Sequence, residues 1–193
     1  SIEHSPVKYF ARKPDDYARY AEVCAGIVRH YTKGWGNGYK WDIQNWEIYN
    51  EPNIKPCWRG TKEEFLDLYV TCLRRLKSEF PELSIGGPAF AGCPMDYMKD
   101  LLAACKAAGV APDFLSWHGY INDPLQFNRE ADMMRKLCDE YGFTKCELII
   151  NEWHYFGTTY DWTDMQRCSD PKVKARIWTG PRSHNGIHSA AFT

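Results

Sequence analysis

Strand-like and helix-like stretches alternate along this chain, and that alternation constrains its fold more than any other feature. A helix is expected from Pro14-Asp15-Asp16 to about Tyr31. Proline and acids suit a helix N-terminus, and Tyr17, Ala21, Cys24, Ala25, Val28 and Tyr31 recur with a helical period. The turn cluster Lys33 to Gly38 follows, then a strand from Gln44 to Tyr49. Thr61, with Glu64 three residues on, predicts a capping box. Phe65, Tyr69, Leu73, Leu76 and Phe80 carry that helix to Pro81. Further strands are expected at Leu83 to Ala89, Asp113 to Tyr120 and Cys146 to Asn151, with helices at Met95 to Ala108 and Pro124 to Tyr141. A long loop from Trp153 to Pro181 and the start of a helix at Ile187 to Phe192 complete the reading.

Strands that alternate with helices in this way form a parallel sheet through right-handed crossovers. A doubly wound open sheet competes, but no glycine-rich turn suited to a dinucleotide or a phosphate follows a strand. The polar candidates lie at strand carboxyl ends, which is the active face of a (β/α)8 barrel. A closed barrel needs eight strands over ~250 residues. The expectation is therefore one α/β domain across residues 1–193, an incomplete TIM barrel from the middle of the fold with both ends truncated. Its two edge strands would be open, so the 193 residues alone are expected to be inactive and to aggregate or dimerise.

Lys and Arg number 24 against 25 Asp and Glu, with no basic stripe of the kind that binds nucleic acid. No apolar run approaches the ~18–20 residues that cross a bilayer. Cys24, Cys72, Cys105 and Cys138 fall on apolar helix faces, where thiols behave as small hydrophobes. With no CxxC pair and no Asn-x-Ser/Thr sequon, a reducing, cytoplasmic compartment is expected, and neither cofactor nor metal. The chain is rich in Trp and Tyr, which pack cores and also stack on the C–H faces of sugar rings.

The chemistry is carried by Trp46-Glu47-Ile48-Tyr49-Asn50-Glu51-Pro52-Asn53. Glu51 stands where the backbone leaves a strand, and Pro52 has no N–H with which to continue pairing. About one hundred residues later Leu148-Ile149-Ile150-Asn151 leads to Glu152, followed by Trp153-His154-Tyr155. Two strands of one sheet, each ending in Asn-Glu, supply the paired carboxylates that carbohydrate hydrolysis requires. Asp42 and Glu47 lie near the motif but are not read as catalytic; Glu47 suits a structural or buried pair.

These residues resemble the clan A glycoside hydrolases. The stretch 46–53 looks like the acid/base strand of the clan. Tyr17 to Gly36, including Arg29-His30-Tyr31, resembles family 39, that of β-xylosidases and α-L-iduronidases. Ser116-Trp117-His118-Gly119-Tyr120 is similar to its sixth strand and Ile149-Ile150-Asn151-Glu152 to its seventh, so the chain corresponds to strands four to seven. The resemblance implies a retaining enzyme that works by double displacement, with Glu51 as acid/base and Glu152 as nucleophile. Asn50 then contacts the sugar 2-hydroxyl. His118 and Tyr120 are candidates to touch Glu152 or sugar, and Trp58 and Trp153 to serve as rim platforms.

The implied activity is xylosidase-like, on plant-type oligosaccharides or glycosides. One departure keeps related activities open: the family's xylosidases carry Phe after the nucleophile, where this chain has Trp153-His154. Arabinosidase, glucanase and iduronidase-like reactions are the alternatives within the clan. A catalytically silent carbohydrate-binding barrel is the alternative outside it.

Overall fold

The structure, a computed structural model, describes residues 9–121, 123–155 and 169–172. A short 3-10 turn at Tyr9–Ala11 leads into α1 (Tyr17–Thr32), whose N-cap Asp16 accepts from the Arg19 backbone N–H at 2.9 Å. There follow β1 (Asn45–Glu47), α2 (Lys62–Glu79), β2 (Ser84–Phe90), α3 (Met95–Ala107), β3 (Phe114–Ile121), α4 (Leu125–Tyr141) and β4 (Glu147–Tyr155). The four strands form one sheet in the order β1-β2-β3-β4, every pair parallel. Strand order that follows chain order, with a helix between each pair of strands, is half of a (β/α)8 barrel. No helix among the described residues is long and apolar enough to cross a membrane.

The expected capping box is present. The Thr61 side chain accepts from the Glu64 backbone, and the Glu64 carboxylate accepts from the Thr61 N–H at 2.8 Å. Both contacts meet donors that the first turn of α2 would otherwise leave unpaired. Thr61→Ala removes one of them, and should cost the folded protein about 1 kcal/mol, read from the midpoint of chemical denaturation.

The main core lies between the sheet and its helices. Leu68, Cys72 and Leu73 of α2, Met98, Leu101 and Leu102 of α3, and Met134 and Cys138 of α4 are buried with Ile85, Leu115 and Trp117 of the sheet. The thiols of Cys72, Cys105, Cys138 and Cys146 are buried and free, while Cys24 is half-buried. Trp58, expected as a rim platform, belongs to this core. It is buried, its indole donates to the Thr61 carbonyl at 2.8 Å, and its ring meets Tyr49 and Phe65 edge-on.

Two strand boundaries differ from expectation. β1 is shorter than Gln44 to Tyr49, because Tyr49 turns to a left-handed backbone, φ 74°. Pairing nevertheless continues irregularly, from the Ile48 N–H to the Gly86 carbonyl and from the Glu51 N–H to the Ala89 carbonyl, both 2.9 Å. β4 runs past Glu152 to Tyr155, so Glu152 lies within the strand rather than at its end. The expected loop therefore does not begin at Trp153. Its remainder falls largely, and the expected helix at Ile187 to Phe192 entirely, outside the described residues.

Candidate active site

The site is built on the sheet face turned away from the helices. Side chains two apart on a strand share a face, so Ser116, His118 and Tyr120 of β3 point the same way, about 6.6 Å apart from one to the next. Each meets a carboxylate from another segment of the sheet: Glu47 on β1, Glu51 just beyond it, and Glu152 on β4. Ser116 donates through its hydroxyl to Glu47 Oε1. His118 Nδ1 lies 2.8 Å from Glu51 Oε1 and 3.4 Å from Glu152 Oε2. The Tyr120 hydroxyl donates to Glu152 Oε1.

The two carboxylates that the sequence singles out therefore share one imidazole nitrogen. Their facing oxygens can be no farther apart than those two contacts laid end to end. That bound admits the ~5–5.5 Å separation of retaining glycosidase pairs. The carboxylates differ in setting. The Glu51 side chain is 21% exposed and lies 3.7 Å from the Cys57 thiol, whereas Glu152 is 48% exposed and accepts the Tyr120 hydroxyl at Oε1. His118 itself is buried. A neutral imidazole nitrogen can donate or accept, so Nδ1 can face Glu51 whether or not that carboxyl carries a proton.

The local backbone explains how both groups reach one cleft. In β4, Ile150 pairs with Trp117 but Glu152 pairs with His118, so Asn151 is an extra residue, a bulge. Neighbours on a regular strand face opposite sides; the bulge lets Asn151 and Glu152 both point to the interior. On the other side, Tyr49 at φ 74°, Glu51 at φ 48° and Ala89 at φ 53° are non-glycine residues in the left-handed region. Such conformations persist only where the surroundings hold them, and they cluster at functional sites. The hold is visible: Asn53 donates to the Ala91 carbonyl at 2.8 Å and accepts the Ala91 N–H at 2.9 Å, tying the Glu51 loop to the exit of β2.

Burial pushes the Tyr120 phenol above its ordinary range, and its hydrogen bond to Glu152 and the nearby carboxylate charge push it further. It stays a protonated donor at neutral pH. Burial, followed by the charge of Glu51, also raises the Cys57 thiol, which keeps it from being a thiolate nucleophile.

The pair opens on a cleft of about 540 Å³, lined by Glu51, His118, Tyr120 and Glu152 and, farther along, by Ile54, Cys93, Gln126 and Glu130. The buried Glu130 accepts from the Trp117 indole at 2.9 Å and from the Gln126 amide at 2.7 Å, which fixes α4 to β3. Cys57, Gln126 and Glu130 carry no sequence pattern that would mark them. They reach the site by loop course and helix packing. Asn50 is exposed beside Glu51. Trp153 does not join the cleft face: it pairs with Gly119, and alternation after the bulge turns it away from the side that carries Glu152. No group of three or more potential metal-ligating side chains occurs among the described residues.

Known proteins resemble this chain in sequence and in fold. A family model described as glycosyl hydrolases family 39 matches residues 4–168. A β-xylosidase from Geobacillus stearothermophilus is 33% identical over 110 residues, which are 55% of this chain and 21% of that protein. The structure of a glucosidase from Croceicoccus marinus is similar with a TM-score of 0.69 and 33% identity, over 80% of this chain and 34% of that one. A monomeric β-xylosidase from Caulobacter crescentus shares the fold, with a TM-score of 0.60 at 21% identity over 78% of this chain and 33% of that one. The chain thus spans about a fifth of the length of the first of these relatives and about a third of the other two.

Proposed function

This chain belongs to family 39 of the glycosyl hydrolases, and from that premise we propose that the protein is a retaining glycosidase acting on β-xyloside-type substrates of plant origin. The observation that carries the reading is the Glu51–His118–Glu152 contact. It brings carboxylates from two segments of the sheet to one imidazole, which supports attack by one and protonation by the other. Glu152 is the nucleophile: the Tyr120 hydroxyl donates to its Oε1, a contact that favours the anion, and its Oε2 lies 3.4 Å from His118 Nδ1. Glu51, the less exposed of the two, is the acid/base.

In the first step Glu152 attacks the anomeric carbon while Glu51 gives its proton to the departing oxygen, and a glycosyl ester forms on Glu152. In the second step Glu51 takes a proton from water, which displaces the carboxylate from the face the leaving group vacated. Two inversions return the original configuration. His118 can follow Glu51 through both states, donating to the carboxylate and accepting from the acid. Asn50 stands where it can meet the sugar 2-hydroxyl.

The sugar preference rests on similarity to a β-xylosidase, and the equal identity to a glucosidase favours β-glucosides as the second substrate to try. Full-length protein should hydrolyse nitrophenyl β-xyloside, with the β-anomer as the first product seen by proton NMR, and Glu152→Gln should be silent. An α-anomer formed first would replace retention by inversion. Binding of xylo-oligosaccharide without any turnover would make the barrel a carbohydrate-binding module.

A further inference from the structure

Glu47 is a third carboxylate on the same face, one layer below the pair, and the mechanism above does not use it. Both of its oxygens are occupied by side chains from other strands. Ser116 of β3 donates to Oε1, and Asn151 of β4 donates to Oε2 at 2.8 Å. Each partner leads directly to one member of the pair. Ser116 Oγ accepts the Ala89 N–H at 2.9 Å, and the Ala89 carbonyl accepts the Glu51 N–H at 2.9 Å. Asn151 is the bulged residue immediately before Glu152. Room for the carboxylate is made at β2: a Cβ on Gly87, which has φ +115°, would lie 3.0 Å from Glu47 Cγ.

We propose that Glu47 is a positioning residue that sets the distance between Glu51 and Glu152, a role that rests on the glycosidase reading above. One carboxylate from β1 grips β3 and β4 together, and its two hydrogen-bonded branches end on the backbones of the acid/base and the nucleophile. The left-handed Ala89 and the bulge at Asn151 are irregular points of the sheet beside the site, and Glu47 is bonded to both through these branches. Its effect is on geometry, and a displacement of about 1 Å at reacting atoms costs on the order of 10²-fold in rate.

The test is made in the full-length enzyme with a fluorosugar glycoside that accumulates the covalent intermediate, followed by mass spectrometry, and with steady-state kinetics on an aryl β-xyloside. Glu47→Ala should lower the rate of labelling and kcat by about 100-fold while KM changes less than about threefold. Glu47→Gln can still accept from Asn151 and donate to Ser116, and should recover at least about tenfold of that loss. Asn151→Ala cuts the branch to the nucleophile alone and should slow labelling in the same way, though less than Glu47→Ala, which covers the case of a Glu47→Ala chain that does not fold. Labelling of Glu47→Ala and Asn151→Ala at the wild-type rate would overturn the positioning role alone. A wild-type enzyme that is never labelled and never turns over would overturn the glycosidase reading and this role with it. Losses in Glu47→Ala that lie wholly in KM, or that Gln does not relieve, would also overturn it.

Discussion

Glu152→Gly in the full-length enzyme should abolish turnover, with a loss on the order of 10⁶-fold, the scale of nucleophile deletions in other hydrolases. The acid/base, the imidazole and the cleft would remain, so the deficit is confined to the missing attacking group. Removing the side chain leaves a space beside Tyr120 and His118, the two groups that contact its oxygens. Azide fits such a space, and as an anion it can use the same donors. It should attack an activated aryl β-glycoside from the nucleophile's face and release an α-glycosyl azide, inverted with respect to the substrate. The product is identified by its anomeric proton coupling. An azide product of retained configuration, or no rescue while the protein remains folded, would remove Glu152 from the nucleophile's position.

Glu51→Ala should behave in the opposite manner. General acid catalysis is worth about 10²- to 10⁴-fold and matters only where the leaving oxygen needs a proton. Alkyl and unsubstituted phenyl glycosides should therefore slow by that factor, while dinitrophenyl glycosides form the glycosyl ester at close to the normal rate and then stall, because no base activates water. Azide should relieve the stall by attacking the ester from the vacated face, and the product should be a β-glycosyl azide of retained configuration. The two azide products, of opposite hand, distinguish the two carboxylates more sharply than any loss of rate. Equal losses on good and poor leaving groups would undo the acid/base assignment. The 3.7 Å contact between Cys57 and Glu51 adds a control: Cys57→Ser keeps a donor of similar shape beside the acid and should leave this leaving-group pattern intact.

Much of the fold was legible because its signals are local. The stripe of Phe65, Tyr69, Leu73 and Leu76 and the Thr61–Glu64 capping box are written within a few turns of chain. Physical chemistry needs no distant partner to read them. Parallel pairing follows from the same information, since a strand, a helix and a strand of these lengths close in one handedness. Glu51 and Glu152 stood out because each follows Asn at the end of an apolar run, a pattern contained in four or five residues.

What only the tertiary structure decided is which side chains meet. Trp58 lies in a loop seven residues after Glu51, and nothing nearby in the chain says whether its ring faces a sugar or Phe65; packing against α2 buries it. His118 alternates correctly to face inward, but its contact with both carboxylates depends on the register of β3 against two other segments. The bulge at Asn151 is not visible in Leu148-Ile149-Ile150-Asn151-Glu152, which reads as a regular strand. It exists because the hydrogen bonds of β4 to β3 shift by one residue there, and that shift turns Asn151 toward Glu47 and Glu152 toward Glu51. Periodicity determines which face of an element is apolar, because that depends on neighbours in the chain; the identity of a polar partner is set by register and backbone turns between segments up to a hundred residues apart, which no local pattern encodes.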